Sequence, residues 1–164
     1  MKATSSGSAI VTLPADNQIL VTREFDAPAD LVFKALTTPE LVKQWWGANR
    51  GAVTLCEIDL RVGGRWRYVM DAANGMEVGF HGEYREIVPN ERLVHTEAFE
   101  GAPDPDANAS VVTTELAEHD GRTTMTVLME FPSREIRDAV IATGMESGMQ
   151  ESYDALEEVA ASLR

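Results

Sequence analysis

Few side chains in this sequence can move a proton near neutral pH: three histidines, one cysteine and a surplus of carboxylates. His95 and Glu97 stand two apart in ERLVHTEAF, and residues two apart on a strand share a face. An imidazole and a carboxylate on one face make an acid–base pair. His95 shares the parity of Leu93 and Phe99, which points to the inner side of a sheet. The plainer alternative is a hydrogen-bonded histidine at a sheet rim. His81, in EVGFHGEYREIV, is the third candidate general acid or base, whereas His119 sits beside Asp120 in a turn and is expected in solvent. Cys56 lies in strand-like VTLCEI, where a buried, unreactive thiol is expected.

Other chemistries lack their residues. The histidines fall on three separate segments without metal-ligand spacing, so no metal is expected. No cofactor is expected either. GxSxG is absent, and Gly63-Gly64 precedes a strand rather than the helix a dinucleotide site needs. One cysteine excludes an internal disulfide. With 27 acidic against 14 basic residues the net charge is −13, which opposes binding to nucleic acid or an anionic membrane. No apolar run reaches spanning length, and MKATSSGSA lacks a signal-peptide core. A soluble, cytoplasmic protein without membrane insertion is expected.

Apolar residues outnumber the catalytic candidates. In RWRYVM, Arg65 and Arg67 favour solvent, so alternation turns Trp66, Tyr68 and Met70 inward. The same parity in RTTMTVLME places Met125, Val127 and Met129 inside. Trp45, Trp46 and Phe80 are candidates to close a mouth, with Met145, Met149 and Tyr153 as a helical wall. Methionine repacks easily, so such a lining suits apolar ligands of variable shape. An ordinary core would use the same residues.

The elements that must position these side chains are well marked. Residues 1–9 are small and polar and are expected to form a disordered tail, followed by a single domain over 10–164. IVTL and QILVTREF read as strands. A short helix with Pro28 at its start follows, then a second with Thr38 as N-cap, ending at Trp45-Trp46 before Gly47. Strands then run from VTLCEIDL to RTTMTVLME, with hairpin signals at Asn74-Gly75, Pro89-Asn90 and His119-Asp120-Gly121. Pro132-Ser133 opens a single last helix, roughly 45 Å long, whose apolar residues recur at helical spacing to Leu163. Gly144, Gly148 and Ser152 fall four apart within it. Their missing bulk leaves room either for a ligand or for a strand or loop packing close. Segregated strands and helices imply an α+β protein with an antiparallel sheet and helices on one face.

The runs REFDAP, LTTPELVKQWWG, EIDLRVGGRWRYVM, GFHGEYREIVPNERLVHTE and GMESGMQESYDALEE carry a further signal. In this order they resemble the activator of heat-shock protein 90 ATPase homologue family of the START/Bet v 1-like (SRPBCC) superfamily, over roughly residues 18–162. The resemblance implies a helix-grip fold: a curved antiparallel sheet of six to seven strands around a long C-terminal helix. It also implies two short helices after the first main strand and a hydrophobic cavity between sheet and helix. The superfamily includes lipid carriers, polyketide cyclases and hormone receptors, so fold alone does not select a function. The co-chaperones that name the family carry an additional N-terminal domain, and only about nine residues precede the first strand here. A chaperone partner in a stress response is therefore the lesser expectation.

The leading expectation is a binding protein for a small apolar molecule, lipid-like, aromatic or polyketide-like. An enzyme of the cyclase or hydrolase kind, using His81, His95 or Glu97, is the alternative. The acids Glu146, Glu151, Asp154, Glu157 and Glu158 on the last helix read as a solvated face. A homodimer through an exposed sheet edge is a further expectation.

Overall fold

Alternation sets the sheet. In QILVTREF the residues Ile19, Val21, Arg23 and Phe25 are buried, while their neighbours are only half-buried. The computed structural model of the chain describes residues 9–47, 50–72 and 74–164. The expected tail lies outside the described residues except Ala9, which opens the first strand. The order is β1 (Ala9–Thr12), β2 (Gln18–Phe25), α1 (Ala29–Thr37), α2 (Pro39–Trp45), β3 (Gly51–Ile58), β4 (Arg65–Ala72) and β5 (Glu77–Val88). Then come β6 (Arg92–Phe99), β7 (Ser110–His119), β8 (Arg122–Glu130), α3 (Arg134–Ala142) and α4 (Met145–Ser162).

All neighbouring strands pair antiparallel, in the order β1-β2-β8-β7-β6-β5-β4-β3. Among the described residues the sheet thus has eight strands rather than six to seven, because the short segment AIVT pairs with β2 from Ala9↔Arg23 to Thr12↔Leu20. Turn chemistry behaves as its residues require. Asp120 and Gly121 both take positive φ between the paired ends His119 and Arg122, the backbone of a tight hairpin turn. Pro39 opens α2, and Gly47, at φ 68°, follows its end.

The single long C-terminal helix is corrected to two. Ser133 caps α3 by accepting the Ile136 N–H at 3.2 Å. The chain then breaks at Gly144, whose φ of 79° is left-handed. Glycine takes that conformation without a Cβ clash, so the helical pattern continues across a stop it does not reveal. α4 packs on α1 and α2, with Leu156 and Ala160 in one core cluster with Val32, Ala35 and Val42. It is tied to the sheet by Arg23, whose fully buried guanidinium donates to Asp154 at 2.9 Å and Glu157 at 3.0 Å. The same cation lies 4.9 Å above the Phe25 ring. The solvated reading holds for Glu146 and Glu158, which are exposed, and is corrected for Glu157, which with the half-exposed Asp154 anchors the helix; Glu151 pairs with Arg50 at 2.9 Å.

Candidate functional site

Between the concave face of the sheet and the helices lies a cavity of about 900 Å³. Its lining residues Trp66, Tyr84, Leu93, Val112, Met125 and Val127 are buried. Arg50, Asn74, Phe99, Thr143 and Gly144 line it but are exposed, and so mark its opening. The mouth therefore sits between the β4–β5 hairpin, the end of β6 and the corner where α3 meets α4. Added Cβ atoms at Gly144 and Gly148 would meet nothing within 4 Å. No strand or loop packs against these glycines; the space beside Gly148 is cavity.

All twelve lining residues named from the sequence border this space: Trp45, Trp46, Trp66, Tyr68, Met70, Phe80, Met125, Val127, Met129, Met145, Met149 and Tyr153. Their positions differ from expectation in one respect. Trp45 does not close the mouth; it is buried, with its indole N–H donating to the Ala35 carbonyl at 2.9 Å. Trp46 instead packs edge-on against Tyr68 (5.5 Å between centroids) and Phe80 (5.8 Å). Trp66 lies 4.7 Å from Tyr68, giving a continuous aromatic wall.

A polar end is built into this wall where β5 and β6 lose regular pairing. Between the pairs His81↔Ala98 and Tyr84↔His95, the Glu83 N–H bonds the Thr96 hydroxyl at 2.9 Å. The freed Thr96 carbonyl accepts from Trp66 Nε1 at 3.1 Å and from His95 Nδ1 at 3.0 Å. Gly82 permits this, because a Cβ there would strike both that carbonyl and the Trp66 indole. The bond through Nδ1 leaves His95 Nε2 as a lone pair. Burial pushes the His95 pKa down, against the raising effect of the Thr96 carbonyl, so the ring is neutral.

Glu97 shares the cavity face with His95 and makes no side-chain hydrogen bond or ion pair among the described residues. Among the described residues no buried side-chain polar atom lacks a partner, so the unpartnered carboxyl has accessible surface, and that surface is cavity. Burial alone pushes its pKa from 4.5 to about 7, because the charged form is poorly solvated there. Burial also raises the phenols of Tyr68 and Tyr153, and the Glu97 charge adds to both.

His81 lies elsewhere. Its neighbour Phe80 lines the cavity, so His81 faces the opposite side of the sheet. There it bonds Glu100 through Nδ1 at 2.8 Å and Asp106 through Nε2 at 2.6 Å, while Arg67 also holds Glu100 at 2.9 Å. This corrects His81 as a cavity acid or base: it fastens the loop after β6 to the convex face. Cys56 is buried, with burial pushing its thiol up to about 11, and is unreactive. His119 is exposed and 3.2 Å from Asp120.

The sequence pattern of the Activator of Hsp90 ATPase homolog 1-like protein family matches residues 26–161. The chain belongs to this family. A crystal structure of a Rhodobacter sphaeroides protein is 26% identical, with a TM-score of 0.86 over 94% of this chain and 99% of that one. A Chromobacterium violaceum protein is 27% identical, with a TM-score of 0.77 over 89% of this chain and 98% of that one. A Staphylococcus epidermidis protein solved by solution NMR is 27% identical, with a TM-score of 0.78 over 93% and 94%. No curated protein matches the chain. The helix-grip architecture is thus that of this Activator of Hsp90 ATPase homolog 1-like chain and of its structural relatives. Among the described residues no helix is long and apolar enough to cross a membrane, and no cluster of ligands could hold a metal ion.

Sequence reasoning missed Tyr84 and Thr114 in the cavity wall of this family member, and Arg23 beneath its helix. Tyr84 and Thr114 were legible from parity, since Tyr84 follows Phe80 by four and Thr114 follows Val112 by two. Arg23 gave no such signal, because a charged residue at an inward position argues for the opposite face until its two acids are located.

Proposed function

We propose that this chain is a binding protein for a small hydrophobic molecule, aromatic or lipid-like, held between sheet and helices. The observation that carries this reading is the cavity of about 900 Å³ with its aromatic and methionine lining. Ligand pockets typically measure about 300–1,000 Å³ and are mainly apolar with a few placed polar groups. Both features are present, and the flexible side chains of Met125, Met129, Met145 and Met149 can repack around different shapes.

The test is fluorescence titration with N-phenyl-1-naphthylamine, alongside native mass spectrometry of protein purified from its own host. Saturable dye enhancement, lost in Gly148→Phe because the new ring fills the open space, is the expected result. A folded wild-type protein that neither enhances the dye nor carries a co-purifying molecule opposes the reading.

A second reading, acid–base catalysis of the cyclase or hydrolase kind, is favoured by one observation. Glu97 is poised to exchange a proton near pH 7 beside a neutral His95 in a sheltered cavity. Turnover of a bound ligand that disappears in Glu97→Gln and His95→Phe supports it; stoichiometric recovery of unchanged ligand opposes it.

A further inference from the structure

The cavity is apolar on most of its wall, but its polar groups are not a random set. Glu97 brings a carboxyl without a protein partner, and His95 brings an Nε2 lone pair, its Nδ1–H being committed to the Thr96 carbonyl. Both groups, on adjacent same-face positions of β6 about 6.5 Å apart along the strand, accept hydrogen bonds once the carboxyl is ionised. The phenols of Tyr68, Tyr84 and Tyr153 also border the space. Among the described residues Arg50 is the only arginine or lysine lining the cavity. It stands at the mouth, where its guanidinium is engaged by Glu151 and Ser147, each at 2.9 Å. An anionic ligand head would meet a carboxylate and no cation. A cationic head would meet a carboxylate, a lone pair and aromatic faces.

We propose that the ligand of this cavity is a hydrophobic amine, its nitrogen donating to Glu97 and to His95 Nε2 while its apolar body lies along Trp66, Tyr68 and Met125. The inference rests on the cavity being a ligand site, as argued above. An ammonium here gains a charge-assisted hydrogen bond and the quadrupoles of the Trp66 and Tyr68 rings. The ammonium takes the place of the cavity water at Glu97, so the carboxylate keeps a donor when the ligand displaces that water. Glu97 then releases its proton when the amine arrives, so affinity for amines rises with pH until the ligand nitrogen itself loses its charge. The groups facing Glu97 in that range are His95 on its own strand, Tyr84 on β5, Tyr68 on β4 and Tyr153 on α4. Thr114 on β7 and the apolar residues of β8 add no charge. Above pH 6.5 His95 is neutral, and burial raises the phenols, so between there and about pH 8 Glu97 is the one of these groups that changes charge.

The test uses three matched probes: 2-(1-naphthyl)ethylamine, 2-(1-naphthyl)ethanol and 1-naphthylacetic acid. Their Kd values are measured by displacement of N-phenyl-1-naphthylamine at about pH 8, with calorimetry on the amine. The expected result is an amine bound about tenfold or more tightly than the alcohol, and the acid bound least, in keeping with hydrogen bonds to charged groups. In Glu97→Gln the amine-to-alcohol ratio falls to about one, whereas Glu97→Asp retains a preference. In wild type the ratio also falls between about pH 8 and about pH 6.5 as the carboxyl is protonated, a readout needing no variant. An acid bound as well as the amine, or an amine preference that survives in Glu97→Gln, overturns the proposal. Dye binding without amine preference overturns it while leaving the cavity reading intact. Absence of any dye or probe binding removes both.

Discussion

Replacing Glu97 by glutamine tests how the cavity is built, through stability rather than ligand. A carboxyl whose pKa is 4.5 when solvated and about 7 in the fold holds its proton more tightly when folded. Between those values the folded chain carries a proton that the unfolded chain has lost, so stability falls as pH rises through that window and is flat above it. At about 1.4 kcal/mol per whole step in pKa, the difference is at most about 3.5 kcal/mol. Because the carboxyl borders a cavity that water can enter, about 2 kcal/mol is the working figure. His95 acts in the opposite sense. Its lowered pKa means the unfolded chain binds the extra proton, so its contribution grows as pH rises towards 6.5. Raw pH profiles mix these two slopes. The difference between wild type and Glu97→Gln removes the His95 slope, along with any constant effect of the amide. The assay is urea unfolding followed by far-UV circular dichroism at about pH 5 and about pH 8. Glu97→Gln should gain about 2 kcal/mol relative to wild type between these pH values, a midpoint displacement of about 1 M urea. Parallel pH profiles for the two proteins would refute the argument, because they would show Glu97 ionising as freely in the fold as in water.

Four further outcomes follow from single contacts. Gly148→Ala should stabilise by about 1 kcal/mol, since it removes a helix-interior glycine and its Cβ meets nothing; an unfolding midpoint below wild type opposes the open-space reading. Gly144→Ala should destabilise by about 1–2 kcal/mol, because the left-handed φ of 79° strains any Cβ; an unchanged midpoint would mean that the α3–α4 corner is not fixed there. Arg23→Met should cost about 2–3 kcal/mol in urea unfolding, since the half-buried Glu157 loses its ion pair while retaining the Asp26 N–H at 2.7 Å, and Asp154 turns to water; a cost below about 1 kcal/mol removes Arg23 as the helix anchor. His81, raised by its bonds to Asp106 and then Glu100, should titrate above 6.5 by NMR, its stabilisation complete below 6.5 and lost as pH rises through the folded value; a midpoint at or below 6.5 would show that the convex-face cluster does not form.

Local chemistry was legible wherever a residue type permits only one backbone solution. Pro39 after Thr38, Gly47 after Trp46, Ser133 before α3 and Asp120-Gly121 in a hairpin each named an element boundary that the fold keeps. Alternation likewise turned Trp66, Tyr68, Met125 and Met129 towards the helices. Two kinds of feature stayed hidden. The first is a break that preserves the periodic pattern on both sides: Gly144 reverses one φ, yet Val140 and Met149 still read as one apolar stripe. The second is a long-range polar bond, as in Arg23 with Asp154 and Glu157 or His81 with Glu100 and Asp106. Their partners lie far away in sequence or across a turn, and pattern reading assigns each charged residue to solvent by default. The Thr96 carbonyl that fixes His95 belongs with these, because it exists only where the β5–β6 ladder lapses.

An apolar void of this size is difficult to keep. At about 24 cal/mol per Å³, the figure for buried cavities left dry, about 900 Å³ would cost about 20 kcal/mol, more than the whole stability of an ordinary domain. The fold avoids that penalty in two ways. The exposed lining residues at the mouth, Arg50, Asn74, Thr143 and Gly144, open the space to solvent. Glu97, His95 Nε2 and the tyrosine hydroxyls give entering water the polar partners without which a cavity stays empty. The polar end therefore has a structural role before any ligand arrives: it keeps the cavity wettable and so tolerable. The same groups dictate what can displace that water. A wholly apolar ligand would strip Glu97 and His95 of their partners, at about 1–3 kcal/mol for each group left unpaired. A ligand that covers the Trp66–Tyr68 wall and offers one donating nitrogen to the polar end avoids that loss, so the device that makes the empty protein stable also selects its ligand.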